Sequence, residues 1–335
     1  MKRSTKVAFL VVFACVLFIC SSVFAEILMT TDDVQGIIGK PDWVVLDCRV
    51  KKKYDAGHIQ GAISLGDSCR VILRDGTQRA LPADRLEKIL GGAGISNDKH
   101  VVVYSDGDIV HATVGYWILE YLGHDKTHFL NGGIVAWKQE NKPMSKDETK
   151  LSPAVFKAAV QPGRIATTEE ILKIATGKIK NVQLIDSRSA KEHTGYDVRA
   201  LRGGYIPNTL MNLSHELTFD KKTGKILPPA VLGTERFFGK LDKNKRTVSY
   251  CQTGSRSTLT YLQLKLLGFK NIANYDDSWI VYGNHFAPPY PIADEQWMNL
   301  EPMQKDLPKM EKEMEKLKKE VEELKTALGT KKEHH

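Results

Sequence analysis

The fold is indicated most clearly by the stretch Thr247-Val248-Ser249-Tyr250-Cys251-Gln252-Thr253-Gly254-Ser255-Arg256-Ser257. Its first four residues are typical of a buried strand, and a polar turn that contains a glycine follows them. Beyond the turn, leucines recur at helical spacing up to Leu266, and Gly268 stands where a helix C-terminal glycine is expected. The stretch therefore predicts a strand, a tight turn and a helix, with Cys251 at the carboxyl end of the strand.

An earlier part of the chain repeats the pattern of this one. Matching motifs follow each other in the same order in the two halves: residues 44–49 with 182–188, 57–62 with 204–209, and 101–105 with 247–251. The nearly constant offset indicates a duplicated domain, with one insertion at about residues 194–202 of the second copy. Because strands alternate with helices in each copy, we expect an α/β fold of two tandem domains, each a mostly parallel sheet with helices on both faces.

The expected division of the chain has five parts. These are a signal peptide (1–25), a first domain (26–144), a linker (145–164), a second domain (165–295) and a C-terminal heptad helix (303–330). Within the linker, Val155, Phe156 and Val160 suggest that part of it packs against a domain. In the last segment, apolar residues from Leu307 to Leu328 alternate at spacings of 3 and 4, which is a coiled-coil seam. This pattern predicts a homo-oligomer through that helix, or else a single helix that docks on its own domain or on a partner.

The N-terminus has the features of a Sec-type signal peptide. Lys2, Arg3 and Lys6 precede an apolar run over residues 7–20, and Val23-Phe24-Ala25 fits a signal-peptidase site. The apolar run is too short for a comfortable membrane span. We therefore expect a periplasmic or otherwise extracytoplasmic protein, with no stable membrane anchor after cleavage.

The composition of residues 26–335 limits the kinds of partner and of site that the protein can have. The formal net charge of +8 falls when three cations are removed, and the charges that remain are mixed in sign, so neither charge nor motifs indicate a nucleic-acid partner. Three cysteines remain, Cys48, Cys69 and Cys251, and this odd number leaves at least one thiol free. Cys48 is interpreted as a core residue of a strand and Cys69 as a loop residue, with a disulfide between them as the alternative. His124 and His128 have ligand-like spacing but lack companions, so no metal site is predicted.

The turn after Cys251 has a clear chemical use. Amide groups of a tight loop at a helix N-terminus form an anion cradle, and Gly254 allows a backbone conformation that a β-carbon opposes. Such a cradle, with Arg256 beside it, lowers the pKa of a thiol and raises its nucleophilic fraction. We therefore predict Cys251 as a catalytic nucleophile, rather than one more buried apolar residue. The substrate-binding residues predicted from this loop are Gln252, Thr253, Gly254, Ser255, Arg256 and Ser257.

Several motifs together resemble the tandem two-domain rhodanese family of thiosulfate and mercaptopyruvate sulfurtransferases. They are Leu46-Asp47-x-Arg49 with residues 57–62, Asp186-Ser187-Arg188 with residues 204–207, and Cys251-x-x-Gly254-x-Arg256, with closing motifs at residues 131–133 and 275–279. The resemblance covers roughly residues 28–292. In this family the second domain carries the cysteine and the first is catalytically silent, which agrees with Ser105 at the position that matches Cys251.

The resemblance implies an enzyme that works without a cofactor. A sulfane sulfur is expected to pass from thiosulfate or a related anion to Cys251, and then to a thiol or to cyanide. Arg188 is a candidate substrate ligand by the same resemblance, or it forms an ion pair with Asp186. The physiological donor stays open, because Tyr205 and Glu192 replace residues that are usual in the family.

Two other functions fit parts of the sequence. One is a cysteine phosphatase, since these enzymes use a similar anion cradle. They place five residues between cysteine and arginine, whereas four separate Cys251 from Arg256, so the spacing disfavours phosphatase chemistry. The other alternative is a non-catalytic module that binds sulfur species or a partner protein.

Overall fold

The computed structural model describes residues 27–299 and 301–330, so the expected signal peptide lies outside the described residues. Two sheets of five strands form the centre of the chain, and every strand in them is parallel to its neighbours. The strands of the first half are β1 Leu28–Met29, β2 Trp43–Asp47, β3 His58–Ile59, β4 Ile63–Ser64, β5 His100–Tyr104, β6 Thr127–Leu130 and β7 Met144–Ser145. Those of the second half are β8 Ile165–Ala166, β9 Val182–Asp186, β10 Arg202–Tyr205, β11 Thr209–Asn212, β12 Arg246–Tyr250, β13 Ile272–Tyr275 and β14 Ala293–Trp297.

The two sheets have the same strand order, which confirms the predicted pair of tandem α/β domains. The first sheet has the order β1-β6-β5-β2-β4, and the second, read from its matching edge, has the order β8-β13-β12-β9-β11. β3 pairs with β7, and β10 with β14, in separate two-stranded ribbons. The strand that precedes Cys251 is therefore the central strand of its sheet.

Helices surround both sheets. Those of the first domain are α1 Thr31–Gln35, α2 Lys51–Asp55, α3 Cys69–Ile72, α4 Ala83–Gly92, α5 Val110–Tyr121 and α6 Gly133–Gln139. Those that follow are α7 Thr168–Ala175, α8 Ala190–His193, α9 Pro229–Leu232, α10 Ser257–Leu266, α11 Ser278–Tyr282 and α12 Glu301–Thr330, with 3₁₀ turns at Pro162–Arg164 and His215–Leu217. No helix among the described residues is long and apolar enough to span a membrane.

The two domains meet along α5 and α10. Most residues of both helices are buried, and their apolar side chains belong to one shared core. The hydroxyls of Thr113 and Thr258 form a hydrogen bond of 2.8 Å across this contact. Because α10 begins at the end of the Cys251 loop, the same packing brings the first domain next to that loop.

Cys48 and Cys69 form a disulfide, which confirms the alternative that the sequence left open. Cys48 is buried in the core, as expected, whereas the interpretation of Cys69 as a loop residue is wrong. Cys48 directly follows β2 and Cys69 begins α3, and the Cys69 amide donates to the Cys48 carbonyl at 3.2 Å. A β-carbon at Gly115 on α5 would lie 2.9 Å from the Cys48 sulfur. The glycine therefore lets the disulfide pack directly on the helix.

Part of the segment between the two domains packs against the first domain, as its sequence predicts. Phe156 is buried, whereas Val155 is 70% and Val160 39% exposed. Residues 146–161 have no regular helix or strand, and the Ala154 amide donates to the Gly91 carbonyl at 2.8 Å.

The helix α12 belongs to a separate unit that begins at Trp297. The apolar seam residues whose side chains are described are largely exposed: Met310, Met314, Leu317, Val321 and Leu324. The predicted C-terminal helix is thus present.

Candidate active site

Cys251 lies directly after the central strand β12 and is completely buried. Its amide donates to the Ser278 hydroxyl at 3.1 Å, and its carbonyl accepts from the Trp279 amide at 3.0 Å. The loop then turns at Gly254, where φ is +72° and a β-carbon would lie 2.4 Å from the Asp276 carbonyl oxygen. The closing segment of the domain therefore fixes the loop that carries the cysteine.

The surroundings of Cys251 favour the thiolate. Burial raises the pKa of this thiol, but the charge of Arg256, the Ser257 hydroxyl and the amides of Ser257 and Thr253 together lower it below its usual value. Arg256 lies at the start of α10 and contacts the sulfur. This arrangement raises the fraction of the nucleophilic form at neutral pH.

A carboxylate holds Arg256 in place. Arg256 donates to the two Glu192 oxygens at 2.8 and 2.6 Å. Although burial favours the neutral acid, the hydrogen bond and charge of Arg256 lower the pKa of Glu192 to about 2. Glu192 also forms a capping box with Ser189 at the start of α8. Glu192, which departs from the family pattern, is therefore the partner of Arg256.

Arg188 forms an ion pair with Asp186, which is one of the two roles that its sequence position allows. Its Nε and Nη2 contact both Asp186 oxygens at 2.7 to 3.1 Å, and Nη2 also donates to the Gly204 carbonyl at 2.7 Å. The side chain is 1% exposed and its guanidinium lies over the Trp279 ring. Arg49 and Asp47 repeat this pair in the first domain. Arg188 therefore belongs to a buried ion pair that both domains share.

A cavity of about 350 Å³ lies over the loop, between the two domains. Its walls are formed by Arg70, Asp108 and Val110 of the first domain, and by Arg199, His215, Glu216, Gln252, Thr253, Ser255 and Arg256 of the second. Four of the loop residues predicted to bind substrate thus line it, while Gly254, Ser257 and Arg188 do not. Burial, with the charge of Arg256, lowers the pKa of His215 to about 4, so this wall residue is neutral at pH 7.

Sequence reasoning missed Arg74, a buried residue of the first domain that contacts the Cys251 loop. It donates to the Ser255 hydroxyl, to the Thr253 carbonyl at 2.9 Å and to the Asp276 carboxylate. Burial raises the pKa of Asp276, against the lowering effect of Arg74. Arg74 lies far from this loop in sequence, so only the packing of the domains reveals the contact. The first domain thus supports the loop directly.

The matching loop of the first domain lacks nucleophilic chemistry. Ser105 donates its hydroxyl proton to the Asp108 carbonyl at 2.7 Å, and His111 faces the Asp108 carboxylate at 3.2 Å. Asp106 is held by Lys53 at 2.6 Å. His111 is therefore engaged with Asp108 and is not arranged as a base for Ser105.

Comparison with known proteins finds the same fold and chemistry class. The family model described as a rhodanese-like domain matches twice, at residues 30–140 and 168–284. The thiosulfate sulfurtransferase of Azotobacter vinelandii is 30% identical over 261 residues, which cover 77% of this chain and 94% of that protein. The sulfur carrier protein TtuD of Thermus thermophilus is 28% identical over 295 residues, which cover 81% and 98%.

A solved structure agrees with this at the level of the fold. It is the anaerobic ergothioneine biosynthesis enzyme from Chlorobium limicola in complex with trimethyl histidine, with a TM-score of 0.70 and 20% sequence identity. The match covers 80% of this chain and 70% of that one.

Proposed function

Because the chain belongs to the rhodanese family, with a rhodanese-like domain in each half, we propose that it is a thiosulfate sulfurtransferase that carries sulfur on Cys251. One observation carries the proposal: the buried Cys251 thiol has a lowered pKa and contacts an arginine that lines an interdomain cavity. The first domain supplies cavity walls and support for the loop, and the second supplies the nucleophile.

The proposed reaction has two displacements at sulfur. The Cys251 thiolate attacks the outer sulfur of thiosulfate, a new S–S bond forms, and the old S–S bond breaks with its electron pair leaving on sulfite. The amides of Thr253 and Ser257 and the Arg256 guanidinium stabilise the resulting persulfide anion. Cyanide or a thiolate then takes the outer sulfur, as thiocyanate or as a new persulfide, and the Cys251 thiolate is restored.

We also propose that the protein works outside the cytoplasm. The signal-peptide pattern of residues 1–25 supports this proposal, and so does the Cys48–Cys69 disulfide, because disulfides persist mainly in oxidising compartments. Within the described residues, the one free cysteine is Cys251. A buried position beneath a narrow loop protects this thiol from protein disulfides.

Intact mass spectrometry tests the sulfurtransferase proposal. Incubation with thiosulfate should add about 32 Da, one sulfur atom, to the wild-type protein, and cyanide should remove it. Cys251→Ser should gain no mass, whereas Ser105→Ala, at the matching position of the first domain, should behave as wild type. The proposal fails if thiosulfate, mercaptopyruvate and polysulfide all leave the wild-type mass unchanged, or if Cys251→Ser retains turnover.

A further inference from the structure

Arg70 contributes a cation to the cavity from the first domain. The cavity contains three arginines, and carboxylates hold two of them. Arg256 is bound by Glu192 at 2.6 Å, and Arg199 lies 3.4 Å from Glu192 and 3.3 Å from Asp197. Within residues 27–299 and 301–330, Arg70 forms no ion pair within 4 Å and donates no side-chain hydrogen bond, and its charge acts on Asp108 only from a longer distance, where it helps to lower the pKa of that carboxyl. Its guanidinium is thus the cavity arginine that an anion can bind without displacing a carboxylate.

The segment that carries Arg70 is fixed at both ends. Cys69, the preceding residue, is joined to Cys48 at the end of β2 by the disulfide. Four residues after Arg70, Arg74 donates to the Thr253 carbonyl and to the Asp276 carboxylate in the second domain. A long side chain on a segment held in this way is presented to the cavity at a low cost in backbone entropy.

The other charged side chains of the cavity already have side-chain partners. Glu216 is paired with Lys221, and Asp108, whose carboxylate is half exposed, faces His111. Arg256 brings positive charge to the sulfur, but this charge is paired with the Glu192 carboxylate. A donor dianion that enters therefore needs a further positive group for the part that does not react.

We propose that Arg70 binds the anionic group of the sulfur donor that is not transferred, which in thiosulfate is the sulfonate. This inference rests on the proposed function and assigns a specificity-determining role to a residue of the catalytically silent domain. The planar fork of a guanidinium suits two oxygens of such a group. Arg256 then stabilises the sulfur while Arg70 orients the leaving sulfite.

The assignment predicts discrimination by charge between two donors with the same transferred sulfur. Thiosulfate is a dianion and releases sulfite. Methanethiosulfonate is a monoanion in which a methyl group replaces one anionic oxygen. Transfer of its outer sulfur to the Cys251 thiolate releases methanesulfinate by the same exchange of S–S bonds. An arginine that binds the outer group contributes more to the reaction of the dianion than to that of the monoanion.

The test compares both donors in wild type, Arg70→Gln, Arg70→Lys and Arg85→Gln, with cyanide as acceptor. Arg85 is an exposed arginine of α4 in the same domain, outside the cavity, so its substitution removes the same charge without touching the site. Loss of one hydrogen bond to a charged group weakens binding by about tenfold or more. We expect Arg70→Gln to lower kcat/KM for thiosulfate by about that factor, mainly through KM, with a clearly smaller loss for methanethiosulfonate.

Arg70→Lys should retain part of the discrimination because it keeps the charge, and Arg85→Gln should match wild type for both donors. Equal losses for the two donors in Arg70→Gln, or no loss, would overturn the assignment. If thiosulfate does not label Cys251 in the wild-type protein but mercaptopyruvate or polysulfide does, the assignment of Arg70 to the sulfonate is overturned. If none of these donors labels Cys251, the proposed function itself fails, and that result is separate from the comparison of variants.

Discussion

Arg256 donates to both carboxylate oxygens of Glu192, at 2.8 and 2.6 Å, while its guanidinium also contacts the Cys251 sulfur. One side chain thus joins the Cys251 loop after β12 to the segment after β9. Because Glu192 fixes the guanidinium, Arg256 is oriented toward the sulfur before a substrate binds. Preorganised charge of this kind stabilises the anionic sulfur without a cost of reorganisation during the reaction.

Arg256→Gln should raise the pKa of Cys251, since the arginine charge is the strongest of the effects that lower it. We expect persulfide formation from thiosulfate at pH 7 to slow by roughly a hundredfold, as for loss of one oxyanion donor. The rate of alkylation by iodoacetamide, measured against pH, should shift to higher pH in this variant. Arg85→Gln is the control, and an alkylation profile that matches wild type in Arg256→Gln would contradict the role.

Glu192→Gln should make the protein less sensitive to acid. The folded pKa of Glu192 is about 2, below the value of 4.5 for an unperturbed side chain. Ionised Glu192 therefore stabilises the fold above about pH 4.5, and this contribution, up to about 3 kcal/mol, is lost as the pH falls toward 2. Urea unfolding of both proteins at pH 7 and pH 3 measures it: wild type should lose more stability than the variant over this range.

Glu235→Gln is the control for Glu192→Gln. Glu235 is 83% exposed, so its substitution removes the same charge from an exposed position. A Glu192→Gln protein with the same loss between pH 7 and pH 3 as the wild type would count against the Arg256–Glu192 pair as the source of acid sensitivity.

The sequence allowed prediction of the features that depend on near neighbours. The strand, the turn at Gly254 and the helix from Ser257 follow from residue types within about twenty positions, and the repeat of Asp47-x-Arg49 at Asp186-x-Arg188 indicated two similar sheets. Cys251 was recognisable because its loop motif is local.

The remaining site residues depend on contacts that residue spacing does not encode. Arg70 lines a cavity that it shares with residues of the second domain, and Arg74 contacts the Thr253 carbonyl there, because the two domains pack along α5 and α10. The sequence shows that Glu192 departs from the family pattern, but the role of Glu192 as the partner of Arg256 follows only from their positions in the structure. Cys48 and Cys69 form a pair because α3 returns to the end of β2, and neither cysteine predicts that return.

Arg74→Ala should destabilise the protein by about 3–5 kcal/mol, because it leaves the buried Asp276 carboxylate without its cation. Asp276→Asn removes this charge, so the double variant Arg74→Ala/Asp276→Asn should regain part of the loss. Urea unfolding of the wild type, the two single variants and the double variant gives the coupling between the residues. Additive losses, with a coupling near zero, would show that the contact contributes no interaction energy.

The disulfide predicts a thiol count. Protein that lacks residues 1–25 should react with one equivalent of a thiol reagent after unfolding without reductant, and with three equivalents after reduction. Cys48→Ala/Cys69→Ala should lower the free energy of unfolding by about 3 kcal/mol, as expected for a loop of this length. Three reactive thiols before reduction would exclude the bond in the isolated protein.

The helix α12 should join copies of the chain. Its seam residues Met310, Met314, Leu317, Val321 and Leu324 occupy alternating a and d positions and are 48–62% exposed. A charge at two adjacent seam positions places like charges in the apolar interface, so Leu317→Lys/Val321→Lys should dissociate a coiled coil. Glu315→Gln/Glu323→Gln changes the net charge by the same amount at outer b and c positions and should leave the assembly intact.

Light scattering measures the mass of the particle. Because three heptads are only marginally stable, it must be done over a range of concentrations. A wild-type particle with the mass of one chain at every concentration would refute self-association, and equal dissociation of both double variants would attribute it to net charge rather than to the seam.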